Sequence, residues 1–112
     1  MAGVVHGPAL IGAGATVASD AIVGPRVVLG PHVSIGAGAH IDNAVVLDGC
    51  EVGARTVVRH SIIGPRARVG DDCRIEGRVM LGERASVGAG NTLLSGIRIF
   101  PDVTLPDRAV AF

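Results

Sequence analysis

The 112-residue sequence predicts an all-β chain, a parallel β-helix of about six triangular coils. Three observations predict it. An aliphatic residue recurs at every sixth position almost from end to end. The residue two before it is usually small. The residue just after it is often Gly.

The series begins Val5, Ile11, Val17, Val23, Leu29, Ile35, Ile41. One five-residue step then leads to Val46, followed by Val52 and Val58. A second five-residue step leads to Ile63, and the step of six then holds to Leu105. The small residues include Ala21, Ala39, Ala44, Cys50, Ser61, Ala67, Cys73 and Ala85. A six-residue unit is too short for a helical repeat, and its Gly and Pro content would break a helix. It suits a short strand followed by a tight turn. Side chains two apart in a strand point to the same side, so the aliphatic and small residues share the interior. Gly supplies tight backbone, and Pro25, Pro31, Pro65 and Pro101 sit where a turn tolerates a missing N–H. Three units close a triangular coil whose strands pair with the coils above and below. Eighteen repeats make six coils, about 29 Å long at about 4.8 Å per coil.

Runs such as Ile11-Gly-Ala-Gly-Ala-Thr and Ile35-Gly-Ala-Gly-Ala-His resemble the hexapeptide repeat of left-handed β-helices. The left hand is what the resemblance implies, because the general rule for parallel crossovers favours the right.

Composition bounds the rest. The length fits a single domain over residues 1–112. Ten arginines balance ten carboxylates, so no basic excess attracts nucleic acid or an acidic membrane. Two Phe, with no Trp or Tyr, offer no platform for stacking bases. No apolar run is long enough to span a bilayer, and the start does not read as a signal peptide. Cys50 and Cys73 take inward slots on different sheets, which predicts buried free thiols and a cytoplasmic protein.

Chemistry-bearing motifs are sparse. His6, His32, His40 and His60 fall in coils one, two, two and four, at different positions of the repeat. A zinc site needs ligands about 2 Å from one ion, which that scatter does not provide. The Gly-rich runs lack a following helix to hold phosphate, and Asp71-Asp72 reads as a solvated turn. No catalytic residue, metal or cofactor is expected.

The second half is similar to the C-terminal domain of sugar-nucleotide pyrophosphorylases, most like bacterial mannose-1-phosphate guanylyltransferases. The likeness rests on Ile41 to Gly53, on Val58-Arg-His-Ser-Ile-Ile-Gly, on Leu94 to Pro106, and on the two contractions. In that family a separate N-terminal α/β domain does the chemistry, and none of its residues has a counterpart here. The resemblance implies a non-catalytic role in oligomerisation, in packing on a nucleotidyltransferase domain, or in regulation. The alternative is a small hexapeptide-type acyltransferase with its site between subunits. A third reading is a γ-carbonic-anhydrase-like zinc protein.

The outer surface supports assembly independently. The residue before each aliphatic position points outward. On one sheet that column reads Leu10, Val28, Val45, Ile62, Met80 and then Arg98, with Leu47 and Phe100 on the neighbouring column. On the next sheet it reads Thr16, Ser34, Glu51, Arg68, Ser86, Thr104. An apolar stripe beside a polar one marks an interface, and a homo-oligomer is expected. The contractions also predict one column of Asp42, Arg59 and Glu76, with the arginine between the two carboxylates.

Overall fold

The computed structural model describes residues 4–110. Eighteen short strands and no helix make up these residues. Coil one holds β1 (Val4–Val5), β2 (Ala9–Ile11) and β3 (Thr16–Val17); coil two holds β4 (Ile22–Val23), β5 (Val27–Leu29) and β6 (Ser34–Ile35). Coil three holds β7 (His40–Asp42), β8 (Val45–Val46) and β9 (Glu51–Val52); coil four holds β10 (Val57–Arg59), β11 (Ile62–Ile63) and β12 (Arg68–Val69). Coil five holds β13 (Arg74–Glu76), β14 (Met80–Leu81) and β15 (Ser86–Val87); coil six holds β16 (Thr92–Leu93), β17 (Arg98–Ile99) and β18 (Thr104–Leu105).

Every third strand pairs in parallel, giving three six-stranded sheets. We name the sheet beginning with β1 sheet A, that with β2 sheet B and that with β3 sheet C. The molecule is a left-handed β-helix of six coils, 32 Å in its longest dimension. No helix long and apolar enough to cross a membrane occurs among the described residues.

The interior is built as the repeat predicts. Val23, Leu29, Ile35, Ile41, Val46, Val58, Ile63, Ile75, Leu81 and Leu93 are buried, and so are Ala21, Ala39, Ala67 and Ala85 between them. Each buried aliphatic side chain contributes about 1.5–3 kcal/mol of transfer free energy. The inward polar residues are satisfied. Thr56 Oγ1 donates to the Gly70 carbonyl at 2.6 Å, and Cys50 Sγ and Cys73 Sγ donate to the Gly64 and Gly88 carbonyls at 2.8 and 3.1 Å. Both thiols are buried and free, and desolvation pushes their pKa values up.

The corners differ in detail from the sequence expectation. In the full-length corners the left-handed backbone falls three residues after the aliphatic position, as at His32, Arg55, Asp72 and Arg84. The Gly that directly follows the aliphatic residue has another reason to be there. A Cβ on Gly53 would lie 2.5 Å from the Gly70 carbonyl carbon and 2.6 Å from the Asp71 nitrogen. Gly lets the next coil's backbone pass close by. In the two contracted corners the left-handed residue moves to the second position, Asn43 and His60. Each contraction thus removes one residue from the corner between sheets A and B and leaves the core in phase.

Candidate functional site

The outward column of sheet B is in register along its full length. Leu10 pairs with Val28, Val28 with Val45, Val45 with Ile62, Ile62 with Met80, and Met80 with Arg98. Leu10 is 69% exposed, and Val28, Ile62 and Met80 are each about 40% exposed, at 37%, 40% and 42%. Val45 is half-buried. Leu47 and Phe100 both follow the aliphatic position on this sheet, in coils three and six. Gly64 and Gly82 lie between them in that column, so they do not extend the stripe continuously. Leu47 is half-buried and Phe100 is exposed.

The sheet A column is also in register. Arg59 pairs with Asp42 on one side and Glu76 on the other. The ion pairs are loose. Arg59 Nε is 4.0 Å from Asp42 Oδ2, and Arg59 Nη1 is 3.6 Å from Glu76 Oε1. Glu76 pairs more closely with Arg74, at 2.8 Å, and the buried Arg59 Nε has no hydrogen-bond partner. Arg59 is half-buried, so its column lies against the surface instead of standing free of it.

The contractions shape a site that the sequence reading did not assemble. Because the A–B corner is one residue short in coils three and four, it recedes there. The longer corners at Arg26 in coil two and Arg78 in coil five stand to either side. A shallow groove of about 410 Å³ results, lined by Arg26, Asn43, His60, Arg78 and Arg98 and by the flanks of Val45, Ile62 and Met80. Asn43 Nδ2 donates to His60 Nδ1 at 2.9 Å. With the amide nitrogen as donor, Nδ1 is the acceptor of this bond.

The charge around this groove is uneven. Arg55, Arg59, Arg66, Arg68, Arg74 and Arg84 all pair with carboxylates. Among the described residues, Arg26, Arg78 and Arg98 have no carboxylate at ion-pairing distance, and no Asp or Glu lines the groove. A net charge of zero hides this separation.

The histidines are spread over the molecule. His6 follows β1 in coil one, His32 lies at the coil-two corner between sheets B and C, and His60 lies at the A–B corner of coil four. The sequence count placed His40 in coil two. It opens β7 and therefore belongs to coil three, paired with Ile22 above and Val57 below. Among the described residues no three His, Cys, Asp or Glu side chains are grouped to hold a metal ion.

Several solved structures share the coil. The acetyltransferase domain of PglB from Neisseria gonorrhoeae, in complex with acetyl coenzyme A, superposes with a TM-score of 0.88 at 21% identity, over 94% of this chain and 51% of that one. A mutant of GDP-perosamine N-acetyl transferase from Caulobacter crescentus, in complex with CoA and GDP-perosamine, gives 0.86 at 22%, over 94% and 50%. PerB from the same organism, with the same two ligands, gives 0.82 at 23%, over 88% and 48%. This chain therefore spans about half the length of these structures, and at such identities the likeness is one of fold. No curated protein sequence matches the chain. The family model for the GMPPB C-terminal domain matches residues 5–110, contractions included. The chain belongs to the GMPPB C-terminal domain family.

Proposed function

We propose that this chain is a non-catalytic assembly module of a nucleotidyltransferase that makes a nucleotide sugar of the GDP-mannose type. The family match supports the parent reaction. The in-register stripe on sheet B is the observation that carries the assembly role. Five aliphatic or thioether side chains stack over five successive coils, and none of them is charged. The occupant we assign to this surface is a second copy of the chain.

The area is sufficient. A prism 32 Å long and about 20 Å wide presents a face of about 600 Å², or about 1,200 Å² for two copies. That is the lower end of the range for specific interfaces. The stripe's apolar side chains supply the desolvated centre, and the Arg-bearing A–B corner lies at the margin.

Light scattering of wild type and of Ile62→Asp tests the reading. A concentration-dependent oligomer is expected for wild type, with monomer for the variant. A monomeric wild type at 100 μM or above, on the order of the weakest such interfaces, would overturn the proposal, and so would an unchanged oligomer in the variant.

A further inference from the structure

The contracted corners create the groove, and its rim carries the only arginines along sheet B and the A–B corner that lack a carboxylate among the described residues. We propose that this groove is a binding site for a diphosphate-bearing small molecule. The argument rests on charge and shape, and because the groove shares Val45, Ile62 and Met80 with the sheet B stripe it concerns the unassociated chain.

Three features specify the ligand class. First, the guanidiniums are uncompensated. Among the described residues, six of the seven other arginines find a carboxylate, mostly one coil away, and Arg108 does not, so pairing is the commoner outcome on this surface. Arg26, Arg78 and Arg98 face a groove with no acid in its wall. A guanidinium presents a planar fork of donors that matches phosphate oxygens in pairs.

Second, the donors are spaced for more than one anionic centre. Arg78 and Arg98 lie one coil apart, two residues along the strand direction, so their backbones are about 8 Å apart. At that spacing two arginine side chains can converge on one phosphate group. Arg26 stands three coils from Arg78, about 14 Å away, with the His60 ring between them. A single phosphate bridges only part of this span, whereas a diphosphate with an attached body fills it.

Third, the wall below the arginines is apolar. The flanks of Val45, Ile62 and Met80 supply a surface for an uncharged body. The left-handed backbone at Arg26, Asn43, His60 and Arg78 aligns these four side chains along one corner.

Isothermal titration calorimetry tests the assignment with two probes, inorganic pyrophosphate and ADP. It is run at a chain concentration below that at which scattering shows association. One saturable site per chain is expected for both. The variant Arg78→Gln/Arg98→Gln, whose side chains are exposed and whose fold is checked by circular dichroism, should weaken binding about tenfold or more. Arg55→Gln, on the corner between sheets C and A, should leave it unchanged. ADP binding tighter than pyrophosphate shows that the apolar wall holds the organic body. Equal affinities show that the diphosphate alone is recognised, which still supports the site. Absence of saturable binding by both probes at 10 mM, about the limit for a weak anion site, would overturn the proposal. Equal binding by wild type and the double variant would do the same. A poly-glutamate peptide that binds where neither diphosphate does also refutes it, and would assign the groove to an acidic protein segment.

Discussion

Asn91 is the inward residue that closes the helix at its C-terminal end. It is wholly buried. Its Nδ2 donates to the Gly88 carbonyl at 2.8 Å and to the Pro106 carbonyl at 2.9 Å, and its Oδ1 accepts the Val110 amide at 2.8 Å. Val110 in turn accepts the Thr92 amide at 2.8 Å, so one side chain fastens the last segment across the end of coil six. Asn91→Ala removes three bonds worth about 1 kcal/mol each. The freed groups at the open end can reach water, so the expected loss is about 2–3 kcal/mol, not the full cost of orphaning three buried groups. At about 4 °C per kcal/mol this is a fall of about 8–12 °C in Tm. Asn91→Asp separates packing from bonding. It fills the slot and keeps an acceptor for Val110, but turns an oxygen toward two carbonyls, so it should destabilise more than alanine. Because coils contact only their neighbours, the damage should begin locally. Amide exchange at Thr92 should accelerate before exchange at Ile41 or Val58 changes. A Tm shift under about 2 °C with unchanged protection at Thr92 would refute the reasoning.

Two further predictions concern the corners. The Asp72 and Asp102 carboxyls are held below the usual carboxylate range, first by hydrogen bonds from Arg55 and Arg84. A carboxylate with a lowered folded pKa adds stability above its unfolded value that disappears as pH falls through the folded one. The urea midpoint should therefore drop below pH 3.8, and Arg55→Gln/Arg84→Gln should flatten that drop; an identical slope in wild type and variant counts against it. Gly53→Ala should cost about 2–4 kcal/mol, because its Cβ meets backbone and no rotamer can relieve the contact. Gly38→Ala, at φ +70° with an Arg55 side-chain carbon at 3.4 Å and Arg55 backbone no nearer than 4.0 Å, should cost about 1–2 kcal/mol. Equal urea midpoints for the two variants would sink this distinction.

Most of the fold was legible because the repeat is strict. Every aliphatic position from Val17 to Leu93 is buried, and the two five-residue steps gave the pairing of Arg59 with Asp42 and Glu76 without a structure. Two things were not legible. The role of Gly is one, because periodicity cannot tell a glycine that turns the chain from one that lets a neighbouring coil approach. The left-handed positions are filled by Arg, Asp, His and Asn as well as Gly, so composition did not mark them. Their strain of about 1–2 kcal/mol for an ordinary residue is spread over every coil, which makes it a property of the corner and not the mark of a single strained site.

The groove was hidden for a related reason. Each of its parts stood in the sequence: the contractions, His60, and arginines at 26, 78 and 98. In the interior the contractions act only on register, which they preserve. Their effect on the exterior is the opposite one. A missing residue leaves the inward side chains stacked and shortens the path around the corner, which draws its tip toward the axis. Two such corners in successive coils make a recess about 10 Å high, bounded by the full corners on either side. Neutral net charge concealed the second half of the site, because the acids that balance Arg26, Arg78 and Arg98 in the total lie elsewhere on the molecule. In a repeat protein the places where the period breaks deserve the same reading as the period. Every coil carries the core, and the break gives this prism a shaped, cationic edge along sheet B.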